Sequence, residues 1–308
     1  MNILVTGGAG FIASHLVDAL LSSGHKVVVI DNLSTGNRSN LNPNCTFIEA
    51  DITSRHQLDR IFEQHSFDVI YHHAAQIHVQ KSLVEPYLDA TINILGTINL
   101  LENAKQHKVK KIIYPSSAAA YGTPNYLPID EQHPTAPESF YGISKLTPEY
   151  YLRTYSQLYG IDFTILRYAN VYGERQDPRG EGGVVSIFTD RIMRDEELTV
   201  FGDGLQTRDF IYVKDVVSAN LAALSKGNGT TLNISCNVQT SLNQLIATFS
   251  EVTGKTFTPR YTPERSGDIR YSCLSNQMAL KELNWSPQYD LYNGLKDTFQ
   301  HSLATTNQ

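Results

Sequence analysis

The sequence predicts an α/β protein, in which a Rossmann-like doubly wound parallel sheet joins a smaller α/β substrate-binding domain. Three observations predict this class. Short apolar runs alternate with helical patterns through the first half of the chain. The runs are continuously apolar, which is typical of parallel strands covered on both faces. A glycine-rich turn at residues 7–10 joins the first run to the first helical pattern, as in dinucleotide-binding folds.

The elements follow in order along the chain. Six apolar runs predict strands at residues 3–5, 27–30, 46–48, 69–71, 111–114 and 163–166. Between them, apolar residues at helical spacing predict helices at residues 11–22, 55–64 and 90–107. After about Tyr168 the rhythm changes to a polar, glycine-rich loop at 173–183 and helices at 184–194, 239–253 and 277–283. This second part is smaller and less regular.

This change of rhythm predicts two domains. Residues 1–168 are expected to form the first, Rossmann-like domain, with a returning segment near 205–230. Residues 169–204 and 231–308 are expected to form the smaller, substrate-binding domain. A cleft between two such parts is the natural place for a ligand.

Length and charge narrow the class of protein. The chain has 308 residues, with 25 Lys and Arg against 31 Asp and Glu and a formal net charge of −6. This mildly acidic balance gives no reason to expect nucleic-acid or anionic-membrane binding. The three cysteines form no disulfide framework or metal-ligand spacing, so we expect no metal and a reducing cytoplasm. A signal peptide and an apolar run of the ~18 residues that a membrane span needs are both missing from the sequence.

The turn after the first strand has the chemistry of a phosphate site. Gly7 and Gly10 permit a tight turn and a close approach of the backbone to a pyrophosphate, and Phe11 and Ile12 open the helix behind it. Asp31 ends the second strand, where a carboxylate can bind the ribose hydroxyls of NAD and repel the 2′-phosphate of NADP. The alternative is a structural turn with a capping aspartate.

A second acidic position follows the third predicted strand. Asp51 and Ile52 can hold the adenine edge of a dinucleotide. From the sequence alone, an N-cap role of Asp51 for the helix at 55–64 is equally well supported.

Tyr141 and Lys145 lie four residues apart, and so on one face of a predicted helix. The lysine ammonium favours phenolate and is expected to lower the tyrosine pKa from its ordinary value near ~10. Such a phenol can take a proton from a substrate hydroxyl and return it. The same spacing is common on solvated helix faces, and Pro148 on this helix has no explanation from the sequence.

Several motifs in one order resemble the extended short-chain dehydrogenase/reductases, in their NAD-dependent nucleotide-sugar epimerase/dehydratase branch. Within that branch the pattern is most like the UDP-glucose 4-epimerases. The resemblance covers nearly the whole chain. It is carried by the segments at residues 6–12, 31–33, 74–76, 116–122, 141–145 and 167–170.

The resemblance implies a role for each matching residue. It makes Tyr141 the acid/base, Lys145 its partner on the nicotinamide ribose, and Ser117 a hydrogen-bond partner of the reacting hydroxyl. Cofactor binding is implied for Gly7, Gly10, Phe11, Ile12, Asp31, Asn32, Ser34, Thr35, Gly36, Asp51, Ile52, Ala74, Ala75, Gln76, Asn93, Tyr141, Lys145 and Tyr168. Substrate binding is implied for Ser117, Asn170, Val184, Val185, Phe201, Arg208, Arg265, Asp268 and Ser272.

Two of the substrate positions carry alternatives. Arg208 and Arg265 could converge on one diphosphate, although a surface ion pair is the ordinary role of either arginine taken alone. In the family, a large side chain near the end of segment 265–273 excludes N-acetylated sugars and a small one admits them. The alignment places Ser272 there; a slip by one residue would place Tyr271 there and reverse the expectation.

The function expected from this resemblance is NAD-dependent 4-epimerisation of UDP-glucose and UDP-galactose, and possible acceptance of UDP-GlcNAc and UDP-GalNAc, through a 4-keto intermediate. Alternatives are a UDP-glucuronate 4-epimerase, another nucleotide-sugar dehydratase or reductase, and a non-enzymatic NAD-sensing regulator. Ala118 and Ala119 stand where dehydratases carry an Asp-Glu pair, which argues against elimination. The family also implies a cytoplasmic homodimer that associates through helices near 90–107 and 140–158.

Overall fold

Seven parallel strands form the central sheet of the computed structural model, which describes residues 1–179, 183–264 and 269–306. The strands of the chain are β1 (Asn2–Thr6), β2 (Lys26–Asp31), β3 (Thr46–Glu49), β4 (Val69–His72), β5 (Lys111–Ser117), β6 (Asp162–Tyr168), β7 (Asn170–Tyr172), β8 (Thr199–Phe201), β9 (Thr207–Arg208), β10 (Phe210–Tyr212), β11 (Thr230–Ile234), β12 (Thr240–Ser241) and β13 (Arg260–Thr262). The sheet order is β11-β6-β5-β4-β1-β2-β3. The order reverses between β1 and β4, and this switch point is where doubly wound sheets bind ligands.

Helices cover both faces of the sheet. They are α1 (Phe11–Ser22), α2 (Arg55–Gln64), α3 (Val79–Val84), α4 (Pro86–Ala90), α5 (Gly96–Gln106), α6 (Phe140–Tyr159), α7 (Val184–Met193), α8 (Val213–Ala223), α9 (Leu242–Thr253), α10 (Gln277–Leu283) and α11 (Leu291–Thr306). One apolar core joins the sheet to α1, α8 and α10, and a second joins it to α2, α5 and α6. The predicted fold class is therefore confirmed.

The six predicted strands are all present, and each is one to three residues longer than expected. The seventh strand, β11, follows the predicted returning segment and lies partly beyond residue 230. It pairs with β6, and α8 before it packs on the sheet with α1. Strands β1 to β6 come from the predicted first domain, whereas most of β11 falls in the predicted second domain. The central sheet therefore contains strands from both.

The predicted helix at 90–107 differs in form from the expectation. Its first part is α4, its last part is α5, and a π-helical turn at Thr91–Leu95 joins them. Within that turn Asn93 is buried, and its side chain exchanges two hydrogen bonds with the backbone of Gln76 at 2.8 and 3.0 Å. A π turn inside a helix commonly marks a functional position.

The rest of the chain builds a smaller unit on short strands. Three two-stranded sheets pair β7 with β10, β9 with β12, and β8 with β13. A third apolar core joins Phe188, Val200, Phe249 and Leu295 from α7, β8, α9 and α11. The predicted helix at 239–253 begins only at Leu242, because residues 240–241 form β12 and Ser241 closes a capping box with Gln244.

Within the described residues, no helix has both the length and the apolar composition that crossing a membrane requires. The same residues contain no group of His, Cys, Asp and Glu side chains placed to hold a metal ion.

Candidate active site

The glycine turn lies at the switch point of the sheet. Gly7 follows β1 with a φ of 70°, in the left-handed region that favours glycine. A Cβ at Gly7 would lie 2.7 Å from the backbone nitrogen of Ala74 after β4, so the two loops are in direct contact. The N-cap of α1 is Gly10, with no side-chain hydrogen bond to the first turn. The dipole and amides of that first turn, which contains Phe11 and Ile12, suit an anion.

Asp31 ends β2 beside this turn. Its two carboxylate oxygens accept the backbone amides of Leu33 at 2.8 Å and Ala9 at 3.0 Å, so the acid fixes the loop. Burial raises the pKa of Asp31, against the lowering effect of these two hydrogen bonds. A Cβ at Gly36 would lie 2.9 Å from the same carboxylate, which explains the glycine there. Asp31 therefore has the predicted structural role in the turn, and each of its carboxylate oxygens can still accept a further hydrogen bond.

Asp51 lies next to the same groove. It accepts hydrogen bonds from the Asn32 amide at 2.8 Å and from both the backbone and the hydroxyl of Thr53. Burial raises the pKa of Asp51, but the bonds from Thr53 and Asn32 outweigh it and hold the pKa below its usual value. The N-cap of α2 is Ser54, so the alternative of Asp51 as that cap is wrong. Ser34 and Thr35 lie in the loop that Asn32 begins.

Ala74, Ala75 and Gln76 follow β4 at the carboxyl edge of the sheet. The Gln76 side chain is buried and donates to the carboxylate of Asp89 at 2.7 Å, while its backbone pairs with Asn93 of the π turn. These bonds connect the loop after β4 with the helices that pack beside α6.

The predicted catalytic residues are brought together. Ser117 is the last residue of β5, and Tyr141 lies in the first turn of α6. The Ser117 hydroxyl acts on the Tyr141 phenol and lowers its pKa. Lys145 is one helical turn further along and only 5% exposed. A serine, a tyrosine and a lysine therefore converge at the carboxyl edge of the sheet.

The pKa of Tyr141 differs from the sequence expectation. Burial raises this pKa from its ordinary value, the hydrogen bond from Ser117 lowers it, and the charge of Asp89 raises it further. The predicted lowering by Lys145 is thus not what the structure shows, because loss of hydration of the phenolate dominates. In the protein alone, Tyr141 is held in its protonated form.

Lys145 is clamped by Tyr114 of β5. Its ammonium lies 4.7 Å from the centre of the Tyr114 ring, and the Tyr114 hydroxyl donates to the backbone carbonyl of Lys145 at 3.2 Å. Burial lowers the pKa of Lys145 to about 8, although the negative charges of Glu149 and Asp89 raise it. The lysine is therefore a cation close to neutral pH whose two ends are fixed by one aromatic residue.

Pro148 lies inside α6 and is buried. A proline there cannot donate to the carbonyl four residues earlier, so the helix lacks one of its bonds next to Lys145. The Tyr114 hydroxyl meets the neighbouring carbonyl at this same turn. Pro148 therefore lies in the turn of α6 that the Tyr114 hydroxyl connects to β5, the strand that ends at Ser117.

A buried ion pair behind the site was missed by the sequence reasoning. Glu149 accepts two hydrogen bonds from the Arg167 guanidinium, at 2.9 and 2.6 Å, and one from Ser116 at 2.6 Å. The side chains of Glu149 and Arg167 are 1% and 5% exposed. The available signal was a glutamate four residues after Lys145, on the same helix face as the Tyr–Lys pair.

Tyr168, predicted to bind the cofactor, ends β6. Its buried hydroxyl accepts the Asn220 side-chain amide at 2.7 Å, and burial raises its pKa above the usual range. Asn220 belongs to α8, so this strand end is fixed by the returning segment of the chain.

The described substrate positions come together through the short strand pairs. Asn170 starts β7, which pairs with β10 next to Arg208. The Arg208 guanidinium donates to the carbonyls of Thr207 at 2.9 Å and Ile269 at 2.6 Å. Ser272 donates its backbone amide to Thr207 at 3.2 Å. Three segments that are distant in sequence thus meet at one place.

Two of the apolar substrate positions belong to the third core: Val185 is part of it and Val184 packs against it. Val184 and Val185 open α7, and Phe201 ends β8. Val185 is buried, whereas Val184 and Phe201 are half-buried. Arg265 and Asp268 lie outside the described residues, so their predicted roles have no geometry here.

Comparison with known proteins gives one consistent picture. The family described as NAD dependent epimerase/dehydratase matches residues 3–235. The UDP-glucose 4-epimerase of Mycolicibacterium smegmatis is 41% identical, with 97% of this chain and 98% of that protein covered.

Two solved structures are similar over almost the whole chain. The UDP-glucose 4-epimerase of Thermotoga maritima, solved with UDP-glucose, has a TM-score of 0.97 and 46% identity and covers 99% of this chain and 100% of its own. The UDP-N-acetylglucosamine 4-epimerase of Methanobrevibacter ruminantium, solved with UDP-N-acetylmuramic acid, has a TM-score of 0.94 and 34% identity over 99% and 98% of the two chains.

Proposed function

The chain belongs to the NAD dependent epimerase/dehydratase family, and from this premise we propose that it is an NAD-dependent UDP-sugar 4-epimerase that interconverts UDP-glucose and UDP-galactose. The observation that carries the reaction is the convergence of Ser117, Tyr141 and Lys145 at the carboxyl edge of the sheet. The enzyme is an isomerase, so its cofactor is regenerated in each turnover.

The residues around the glycine turn fit NAD. A Cβ at Gly7 would fill the space against the loop after β4, and the uncapped amides of α1 suit a pyrophosphate. Asp31 would bind the adenosine ribose, and Asp51 and Ile52 would flank the adenine. When NAD is bound, the chemistry it supplies is reversible hydride exchange with C4 of the sugar.

The chain's own residues handle the proton. Tyr141 as phenolate takes the proton of the C4 hydroxyl, and Ser117 holds the reacting oxygen by a hydrogen bond. After the 4-keto sugar has turned over in the site, Tyr141 returns that proton to O4. The Lys145 ammonium stabilises the phenolate and binds a hydroxyl of the nicotinamide ribose. The raised pKa of Tyr141 makes the phenolate a strong base, so the ionised form that starts the cycle depends on the Lys145 ammonium.

Recognition of the UDP group falls to the smaller unit. Arg208 and Asn170 lie on adjoining short strands and are proposed to hold the diphosphate, with Arg265 as the second arginine. Val184, Val185 and Phe201 would cover the uracil, and Asp268 would bind the uridine ribose. Residues 169–204 and 231–308 are proposed as the UDP-sugar-binding domain.

Substrate size is proposed to be set by Ser272. Tyr271 pairs with Thr207 in an isolated bridge and is 48% exposed, whereas the neighbouring Ser272 is half-buried. Neighbouring residues in extended chain point to opposite sides, so only one of the two can face the sugar. The half-buried serine is the better candidate, and it leaves room for an N-acetyl group.

Incubation with a panel of UDP-sugars, without added reductant, tests the function. Production of UDP-galactose from UDP-glucose is expected, with UDP-GlcNAc also converted. Conversion of UDP-glucuronate alone would identify the uronate alternative, and release of a deoxy-keto sugar would identify a dehydratase. Ser272→Tyr should abolish N-acetylated turnover while UDP-glucose turnover continues; equal loss of both would contradict the proposed gate.

A homodimer is proposed from one exposed apolar face, and a cytoplasmic location from the three free cysteines. The helices α3, α4 and α6 and the π turn carry large apolar side chains that are at least 45% exposed: Leu83, Val84, Tyr87, Leu95, Ile143, Tyr150 and Leu158. An apolar group of this size usually marks an interface. Light scattering on the purified protein should give twice the chain mass of 34.4 kDa, and Tyr87→Glu should shift it towards the monomer; a wild-type monomer would contradict the proposal.

A further inference from the structure

Asp89 is a buried carboxylate beside the catalytic helix that no predicted role explains. It lies in α4 and is 1% exposed. One carboxylate oxygen, Oδ1, accepts the side-chain amides of Gln76 at 2.7 Å and Asn93 at 3.3 Å. Both donors are neutral, and in the part of the chain that the structure describes Asp89 has no direct ion pair.

A continuous chain of hydrogen bonds connects Asp89 with the first turn of α6. The Asn93 amide also donates to the Ser144 hydroxyl at 2.8 Å, and that hydroxyl donates to the backbone carbonyl of Tyr141 at 3.0 Å. From the other side, the Tyr141 amide donates to the Ser82 hydroxyl at 3.0 Å. The turn that holds the catalytic tyrosine is therefore fixed from two neighbouring helices.

The charge of Asp89 acts on the same turn. A buried carboxylate that only neutral groups hydrogen-bond needs a nearby positive charge to offset its desolvation. Lys145 supplies such a charge: burial lowers its pKa to about 8, and the negative charges of Glu149 and then Asp89 act in the opposite direction. Asp89 also raises the pKa of Tyr141.

Other titratable groups face this cluster from the packed elements. Glu149 lies on α6 with Lys145, Tyr114 lies on β5, His72 ends β4 and His73 follows it. Burial lowers the pKa of both histidines to about 3, so they stay neutral and leave Asp89 and Glu149 as the negative charges near Lys145.

We propose that Asp89 is a positioning residue of the reaction: its carboxylate fixes the first turn of α6 through Asn93 and Ser144, and its negative charge acts on Tyr141 and Lys145. This inference rests on the proposed function. The charge favours the protonated phenol that the second half-reaction needs, and it retains the ammonium that the first half-reaction needs.

Asp89→Asn tests the electrostatic part. An asparagine Oδ1 can still accept both amides, so the substitution removes the charge and keeps the shape. In the NAD-loaded enzyme, the acid and basic limbs of kcat/KM should both move to lower pH, by about one unit. A purely structural role would lower kcat at every pH and leave the limbs in place, which would overturn this part of the proposal.

Asp59→Asn is the matched control. Asp59 also accepts an asparagine amide, from Asn103 at 2.9 Å, but on α2 away from the site. Its pH profile should equal that of the wild type. If Asp89→Asn does not fold, Asp89→Ser also removes the charge. Its pH profile of kcat/KM has the same expected result.

Ser144→Ala tests the positional part, because it cuts the hydrogen-bond chain and leaves the charge. We expect kcat to fall about tenfold with unmoved pH limbs, since loss of one buried hydrogen bond misplaces the tyrosine. Unchanged kcat would overturn the positional part.

A spectroscopic measurement needs no turnover. The ultraviolet absorbance of tyrosinate, taken as the difference between each protein and its Tyr141→Phe version, follows the ionisation of Tyr141 itself. This ionisation should occur at lower pH in Asp89→Asn than in the wild type. An identical titration would overturn the inference even in an active epimerase, whereas a wild type without epimerase activity would refute the proposed function instead.

Discussion

The proposed cofactor side and the proposed substrate side of this molecule are built in different ways. On the cofactor side, the site residues stand at the ends of strands in one parallel sheet, and buried side chains fix them. On the substrate side, short strands bring distant segments together. The Arg208 guanidinium, for example, donates to a carbonyl 61 residues away in sequence.

Because of this difference, we expect mutations on the two sides to have different effects. A change on the cofactor side meets a packed core or a buried charge, so it should alter the fold, NAD retention or the chemical step. A change on the substrate side meets a half-buried surface, so it should alter substrate affinity and leave the rest intact.

The largest expected effect is at the phenol. Tyr141→Phe removes the group that moves the proton, so turnover should fall by about 10³-fold. NAD should stay bound, because the ring and the helix are unchanged. Turnover measures the loss of proton transfer, and the amount of NAD released on denaturation measures how much cofactor the variant retains. Activity within tenfold of the wild type would contradict the role of Tyr141.

The next effect tests the buried ion pair of the cofactor side. Glu149→Gln leaves the Arg167 charge buried without its partner and should lower the free energy of unfolding by about 3–5 kcal/mol. Asp177→Asn, which breaks the exposed Arg179 pair, is the control and should leave the urea midpoint unchanged. Equal effects of the two variants would show that burial does not distinguish the pairs.

Acid should weaken the cofactor side through His72. Its ring bridges the hydroxyls of Thr6 and Thr97, and burial lowers its pKa from 6.5 to about 3. Between those pH values the unfolded chain binds the extra proton and the folded chain does not, so stability falls as the pH falls. This residue alone should cost about 2 kcal/mol between pH 7 and pH 5.

Urea unfolding at both pH values measures this loss. His72→Asn should reduce the difference between pH 7 and pH 5, whereas substitution of the exposed His56 by Asn should not. An unchanged pH dependence in His72→Asn would assign the acid sensitivity to another group.

The smallest effect is on the substrate side. Arg208→Ala should raise KM for UDP-glucose by about 10- to 100-fold, because a charge-assisted hydrogen bond to the diphosphate is lost. Bound NAD and the melting temperature should not change. Loss of NAD from this variant would show that the two sides are not separable.

The sequence predicts the cofactor side well because its signals are local. The bounds of α1 and α2 follow from apolar spacing alone, and Gly7 and Asp31 stand where a strand-turn-helix pattern puts them. Tyr141 and Lys145 are found by helical spacing. The resemblance to a family of known chemistry adds the roles.

Long-range and electrostatic features are not visible in the sequence. The pairing of β9 with β12 or of β8 with β13 joins segments that share no periodicity. Burial decides the direction of the Tyr141 pKa, and only the folded chain shows which side chains surround the phenol. Asp89 could not be identified from the sequence for the same reason, because its proposed role depends on the residues that surround it in the folded chain.

The π turn at Thr91–Leu95 sets the direction in which the Asn93 side chain points, so the site depends on the number of residues in this helical segment. A π turn holds one residue more than an α turn, and each residue of an α-helix rotates the next by about 100°. Removal of one residue before Asn93 would let the segment relax into a regular helix and turn that side chain away from Gln76. Chain length between Pro86 and Gln106 is therefore constrained as tightly as residue identity, and a one-residue deletion there should be as harmful as loss of Asn93 itself.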